Sequence, residues 1–67
     1  MNFLPVLSDT LTQHGFNHGY SVLAQTIIVG NMRVTQGDNC FVLVHNSGIK
    51  FYPRSVAEAM NIINIYF

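Results

Sequence analysis

The sequence predicts a single α+β domain, in which an N-terminal helix precedes an antiparallel β-meander of three to four strands, and a C-terminal helix packs on one face of the sheet. Three observations predict this fold. Apolar residues recur every four positions near the N-terminus, β-branched runs alternate with turn residues after Tyr20, and a helix-capping sequence follows Pro53. Because 67 residues can close only one hydrophobic core, residues 1–67 form one domain.

The first predicted element is a helix over residues 2–14. Its apolar stripe consists of residues that recur every four positions: Phe3, Leu7 and Leu11. Asn2 can cap the helix, because asparagine side chains accept hydrogen bonds from the free N–H groups of a first turn. Pro5 falls in that first turn, where its missing N–H does little harm.

The segment HGFNHG, residues 14–19, places two of the three histidines four residues apart. His14 would lie in the last turn of the helix, and Gly15 would take the left-handed conformation that ends many helices. Phe16 would fold back as the accompanying hydrophobic contact. We therefore predict a helix end followed by a mobile loop that contains His18 and leads into the first strand.

The central region predicts a β-meander, because four β-branched runs are separated by turn residues: residues 22–29, 32–36, 40–45 and 49–53. Gly30 and Asn31 suit a two-residue hairpin loop, whereas residues 37–39 and 46–48 suit slightly longer ones. The first run is also compatible with a helix, or with one long strand bulged at Gly30, and these alternatives stay open. The last two runs form the most strongly indicated strand pair.

The C-terminal helix is predicted to begin at Ser55. Pro53 ends the preceding strand, and Ser55 with Glu58 forms a capping box, in which each side chain satisfies a free backbone N–H. Apolar residues then fall on one broad arc: Val56, Ala59, Met60, Ile62, Ile63, Tyr66 and Phe67. Ile65 falls among the polar residues. The two aromatic residues at the end of the chain indicate that this end of the helix is docked.

The composition is unusually apolar, with 49% hydrophobic and 9% charged residues, against about 25% charged residues in ordinary domains. Three basic and three acidic residues cancel, so no net charge would steer a polyanion or an anionic membrane toward the chain. A folded chain of this length should expose about 4,200 Å². Because near-neutral chains with much apolar surface tend to associate, we expect a partner, either another protein or a second copy.

The sequence also carries information on the compartment. No apolar run approaches the length of a membrane span, and the N-terminus lacks the basic start and small-residue cleavage site of a signal peptide. The single Cys40 excludes an intramolecular disulfide, which fits a reducing compartment. We expect a soluble, cytoplasmic chain without membrane association.

The residues that could carry chemistry form no recognised site. Cys40 and His45 are five residues apart on one predicted strand, so their side chains should point to opposite faces and could not easily share a zinc ion. A glycine follows both His14 and His18 and interrupts any helix that would fix their spacing. Nucleophile-elbow, paired-carboxylate and phosphate-loop patterns do not occur. We expect no metal, no cofactor and no enzymatic activity.

One predicted strand, residues 40–45, is apolar on both sides. Its odd positions carry Phe41 and Leu43, while its even positions carry Cys40 and two valines. Two short helices can cover one face of a small sheet and leave the other bare; in the alternative, they straddle the sheet. We predict a contact surface on the bare face: Phe41, Leu43 and Tyr52, with His45, Lys50 and Arg33 as polar neighbours. Tyr20 and residues 16–18 are secondary candidates.

In size, low charge and absence of motifs, the chain resembles the small inhibitors made by phages and mobile elements, such as anti-CRISPR proteins, and small immunity proteins. The resemblance implies a non-enzymatic protein that occludes or locks a larger protein machine. Two alternatives stay open. One is a homodimeric interaction module. The other is a weak single-stranded RNA binder that would stack Phe41, Phe51 or Tyr52 on bases, although three acids offset the three basic residues.

Overall fold

A computed structural model of the chain describes residues 2–67, which form two helices and five strands. In chain order the elements are α1 Leu4–Gln13, β1 His18–Ser21, β2 Thr26–Val29, β3 Met32–Gly37, β4 Cys40–His45, β5 Lys50–Phe51 and α2 Val56–Tyr66. The strands form one antiparallel sheet in the order β1-β2-β3-β4-β5, so each strand pairs with its neighbours in sequence. The predicted α+β class and the helix, meander, helix order are confirmed.

The sheet has at least one strand more than expected, at its N-terminal edge. β1 precedes a turn over residues 22–25, and β2 begins only at Thr26. The segment whose structure the sequence left open is therefore a turn followed by a short strand. This turn contains no glycine, proline or asparagine. Instead, Gln25 takes a positive φ of 53°, and the Ser21 hydroxyl accepts the Ala24 N–H at 3.1 Å.

The next two hairpins turn tightly. Gly30 and Asn31 form the predicted two-residue loop, in which Gly30 has a φ of 55°. The loop between β3 and β4 is also two residues long, shorter than expected, because Gly37 pairs with Cys40 within the sheet. Asn39 takes the left-handed conformation there, with a φ of 58°. Asparagine tolerates this conformation better than most residues.

The ends of α1 follow the sequence closely. The helix begins at Leu4, two residues later than expected, so Phe3 and not Asn2 occupies the cap position, although the Leu4 N–H still donates to the Asn2 side-chain oxygen at 3.0 Å. At the other end, Gly15 has a φ of 77°, and the Phe16 N–H donates to the Leu11 carbonyl at 2.9 Å. This hydrogen bond belongs to the glycine-dependent helix end predicted for the segment.

The helix α2 starts one residue after its cap. The Ser55 hydroxyl accepts the Glu58 N–H at 3.1 Å, as a capping box requires. The Glu58 carboxylate accepts the N–H of Arg54 at 2.8 Å, so the reciprocal half of the predicted box is displaced by one residue. At the C-terminal end, the Phe67 ring packs edge-on against Phe16 with ring centroids 5.1 Å apart, and the predicted docking is confirmed.

The core lies between the two helices and one face of the sheet, hereafter the covered face. Its buried side chains come from both helices and from three strands: Leu4, Leu7, Leu11, Ile27, Val29, Met32, Val34, Phe41, Leu43, Ala59 and Ile63. Because α1 and α2 pack on the same face, the alternative in which they straddle the sheet is wrong. The total exposed area is 4327 Å², close to the expected value. The opposite face, hereafter the open face, has no helix on it.

Candidate protein-binding surface

The strand register defines which residues share the open face. Residues directly opposite each other in an antiparallel pair project from the same side of the sheet. Ile28 lies opposite Arg33, Arg33 opposite Val44, and Val44 opposite Lys50. Gly19 extends this row onto β1. The row therefore alternates apolar and basic side chains across four strands.

A second row lies beside the first on the open face: Ser21, Thr26, Thr35 and Val42. The Phe41 N–H donates to the Pro53 carbonyl at 2.7 Å, which continues the pairing of β4 beyond the end of β5. This register places Tyr52 opposite Val42. Tyr52 thus completes the second row at the edge of the sheet.

The apolar groups on the open face are accessible to a partner. Ile28 is 52% exposed and Tyr52 is 60% exposed. Val42 and Val44 are half-buried. Threonines and a serine surround them in place of acidic groups. Accessible apolar groups with a polar border are typical of protein contact surfaces.

Two of the three basic residues lie on the open face, and the third, Arg54, directly precedes the cap of α2 on the helix side. Arg33 and Lys50 both project from the open face, and no aspartate or glutamate lies on its strands. Asp9 is on α1 and Glu58 on α2, in the helix layer, while Asp38 is in the turn between β3 and β4. The open face is therefore positive, although the formal net charge of the chain is zero.

The predicted contact residues are divided between the two faces. Tyr52, Lys50 and Arg33 lie together on the open face and are exposed. Phe41 and Leu43 are 2% and 0% exposed on the covered face, where they form part of the core. Their assignment to the bare face is therefore corrected, because the helices leave them no surface for a partner. Strand alternation identified two sets of residues but not which set the helices cover.

His45, the sixth predicted contact residue, lies on the covered face at the end of β4. Its Nδ1 accepts the N–H of Ser47 at 3.1 Å, and its ring packs against Tyr66 with centroids 5.5 Å apart. The imidazole therefore connects the loop between β4 and β5 to the end of α2. It is half-buried, and contact with a partner stays a prediction.

The secondary candidates, Tyr20 and residues 16–18, are held largely in the fold. His18 belongs to β1, and its Nδ1 lies 2.9 Å from the Phe16 carbonyl, which can only accept a hydrogen bond. In the neutral ring Nε2 is then an acceptor, and the Ser8 hydroxyl lies 2.7 Å from it. Phe16 and Tyr20 pack against the core. The prediction of a mobile loop at His18 is wrong, because this side chain joins β1 to α1.

The other histidine of HGFNHG and the cysteine have separate surroundings. His14 Nδ1 donates to the Thr10 carbonyl at 2.9 Å, at the C-terminal end of α1. Cys40 lies on the open face and His45 on the covered face, as their odd spacing predicts. Among residues 2–67, no three histidine, cysteine, aspartate or glutamate side chains come together as metal ligands.

Sequence reasoning missed several accessible apolar residues. Ile28 was overlooked because the register of its strand was left open, and the apolar run Ile27, Ile28, Val29 shows no alternation that would identify the exposed residue. Val22 and Leu23 were expected inside a strand but lie in the turn between β1 and β2, where Leu23 is 97% exposed. Residues 22–25 contain none of the residues that usually predict a turn.

Two shallow depressions meet on the open face. One runs from Gly19 and Ser21 to Ile28 and Arg33. The other starts from the same Ile28 and Arg33 and continues past Val44 to the end of β4. Because they share these residues, the depressions form one groove, hereafter the cross-strand groove, that crosses the sheet from β1 to β4.

Comparison with known proteins gives no relative: no family model, no curated protein and no solved structure matches the chain. The helices α1 and α2 have 10 and 11 residues. Within the described part of the chain, neither is long and apolar enough to cross a membrane.

Proposed function

We propose that this protein acts by binding another protein through the open face of its sheet, without catalysing a reaction. The observation that carries the proposal is the difference between the two faces. Both helices cover one face, while the other presents accessible apolar side chains, two basic residues and no acid. Burying that apolar surface against a partner would favour a complex, against the entropy that association costs.

The dimensions of the molecule are compatible with such an interface. A standard protein interface takes about 800 Å² from each partner. That is about a fifth of the total exposed area of 4327 Å², and the extents of the molecule are 26 × 24 × 21 Å. An interface of this size therefore occupies one whole face, and the open face is the one that no helix covers.

The charge pattern favours a different protein over a second copy of this chain. In a symmetric dimer through the open face, Arg33 and Lys50 of one copy would meet the same two residues of the other. No acidic side chain on the described strands of this face would compensate that repulsion. A partner with acidic groups around an apolar patch would pair with both cations.

The geometry gives weaker support to RNA binding. Of the three aromatic residues considered for stacking, Phe41 is buried and Phe51 is half-buried with its ring 5.1 Å from Tyr66. Only Tyr52 stays available on the open face. Single-stranded RNA sites combine several stacked bases with a basic groove, whereas this face offers one aromatic ring and two cations.

The mode of action that we propose is occlusion. Such an interface would occupy the whole open face, and the opposite side of the sheet is covered by the helices, so the chain would act by covering or locking a surface of a larger protein. This agrees with its resemblance in size and character to the small inhibitors of phages and mobile elements. The identity of the protein that it covers is an outcome of the experiment below.

The test compares variants on the two sides of the molecule. Tagged wild-type chain and an Arg33→Glu/Lys50→Glu double variant are used to capture proteins from lysate of the source cells. Ile65→Ser, an exposed position on α2, is the matched control. We expect the wild type and the control to retain the same partner and the double variant to lose it, with unchanged circular dichroism. Equal capture by all three folded chains contradicts the proposal.

Two further measurements address the alternatives. Light scattering from about 1 μM upward, the range in which moderate self-association becomes visible, distinguishes a monomer from a dimer. Binding to single-stranded oligonucleotides at low salt tests the RNA alternative, because electrostatic binding is strongest there. A tight dimer without partner capture, or salt-sensitive RNA binding that requires Tyr52, would replace the proposed function by the corresponding alternative.

A further inference from the structure

We infer that the element of the partner that binds the open face is an acidic amphipathic helix, lying in the cross-strand groove. This inference rests on the proposed function, because it specifies what the open face binds. Three features support it: the shape of the groove, the missing layer of the fold, and the row of residues along the groove, which Lys50 continues on β5 beyond the groove's end.

The shape of the groove suits a helix. It crosses four strands, and neighbouring strands are about 4.8 Å apart, so it extends about 14 Å across the sheet. An α-helix rises 1.5 Å per residue and is about 10 Å in diameter, so roughly ten residues would span this length. Ile28 and Arg33, which line both depressions, would lie beneath the middle of such a helix.

The fold lacks a layer on this side. Sheets with apolar residues on both faces are usually covered on both, and helices are the common covering element of mixed folds. Here α1 and α2 both pack on the covered face, which leaves Val42, Val44 and Ile28 without a second layer. A helix from the partner would supply that layer and give a helix, sheet, helix sandwich.

The chemistry of the row selects the kind of helix. Ile28 and Val44 would contact an apolar stripe whose residues recur every three to four positions. Arg33 and Lys50 alternate with them and would pair with carboxylates that flank the stripe. Because the described strands of this face carry no acidic side chain, a basic helix would find no such partners.

The experiment uses three synthetic 18-residue peptides and the full chain labelled with nitrogen-15. The first peptide has a leucine stripe flanked by glutamates on an alanine and glutamine background. The second replaces each glutamate with lysine, and the third keeps the composition of the first with the leucine positions scrambled. We expect the first peptide to bind at least tenfold more tightly than either control. Its amide shift changes should centre on Ile28, Arg33 and Val44.

Charge reversal supplies the second readout. In the Arg33→Glu/Lys50→Glu chain, the preference should invert, so that the lysine peptide binds tenfold more tightly than the glutamate peptide. The Ile65→Ser chain should bind all three peptides as the wild type does. Circular dichroism and the melting temperature of each variant verify that it is folded.

The outcomes separate this inference from the proposed function. Equal or undetectable affinity for the three peptides overturns the inference, as do shifts confined to the β1 edge, which would indicate an added strand. If the peptides fail while the charge-reversed chain still loses its cellular partner, the proposed function stands without the helix. The glutamate peptide could bind as expected while the charge-reversed chain still captures the same cellular partner as the wild type. The groove would then have the inferred preference, and the proposed function would fail.

Discussion

The strand β4 carries apolar side chains on both faces, and the two faces are used differently. Phe41 and Leu43 lie beneath the helices and are almost fully buried, whereas Val42 and Val44 stay half-buried on the open face. Because these residues belong to one strand and one chemical class, hydrophobicity alone does not decide which of them enter the core. The position of the two helices decides it. A strand that is apolar on both sides therefore provides one surface for the core and another for a further layer.

The largest expected effect on stability comes from a substitution on the covered face. Leu43→Ala should lower the free energy of unfolding by about 2–5 kcal/mol, because it leaves a cavity in a core in which Leu43 is fully buried. Urea unfolding followed by circular dichroism measures the change. Val44→Ala, at the next position of the same strand, is the control and should cost less than about 1 kcal/mol. Equal decreases in the free energy of unfolding for the two variants would mean that Val44 is as well packed as Leu43.

The next effect concerns the contact between the hairpin of β2 and β3 and the end of α2. Gly30 has a φ of 55°, and a methyl group there would lie 3.0 Å from the Phe67 ring. Gly30→Ala should therefore cost about 1–2 kcal/mol, measured in the same urea assay. Gly19→Ala is the matched control on the open face, since Gly19 has an ordinary φ and no atom near the added methyl. A loss no greater than that of the control would contradict the contact.

A smaller loss is expected where β1 joins α1. Ser8→Ala removes the hydroxyl that lies 2.7 Å from His18 Nε2, and we expect it to cost about 1 kcal/mol. Thr12→Ala on the same helix is the control. Thr12 is exposed and its hydroxyl bonds only to the Ser8 carbonyl, so its loss should stay below about 0.5 kcal/mol. Similar values for the two variants would show that His18 does not hold β1 to the helix.

The smallest effect on stability is expected on the open face. Ile28→Thr keeps a β-branched side chain and should change the free energy of unfolding by no more than about 0.5 kcal/mol. The same variant should lower the affinity for the glutamate peptide at least fivefold, because it removes apolar area from the middle of the groove. A large decrease in the free energy of unfolding would show that Ile28 is part of the packed fold and is not a free contact residue.

The features that the sequence predicted well are local ones. Gly15 ends α1, Gly30 and Asn31 turn the second hairpin, and Ser55 caps α2, because each depends on a few neighbouring residues. The strand β1 was missed because its sequence HGYS shows little alternation and is stabilised mainly by pairing with β2. The turn at residues 22–25 was missed because its residues, Val-Leu-Ala-Gln, are common in strands and helices.

The candidate surface was predictable only in part, for a related reason. Alternation correctly separated Phe41 and Leu43 from Val42 and Val44. Which set becomes the core depends on where two helices, one from each end of the chain, pack, and no local pattern encodes that. Tyr52 is predicted as an aromatic contact residue, with Lys50 and Arg33 as polar neighbours, and all three are exposed on the open face.

The segregation of charge between the two sides of the sheet gives the molecule an electric dipole although it has no net charge. Arg33 and Lys50 form its positive pole on the open face, and the helix side has a negative balance, because Arg54 offsets only one of Asp9 and Glu58 there. An acidic surface would therefore rotate the approaching molecule into a face-on orientation before contact. At about 0.1 M salt the screening length of about 10 Å is shorter than the smallest extent of the molecule, 21 Å. Association with an acidic surface should therefore be fastest in dilute salt. The acceleration would come from orientation of the dipole, because a chain of zero net charge is not attracted as a whole.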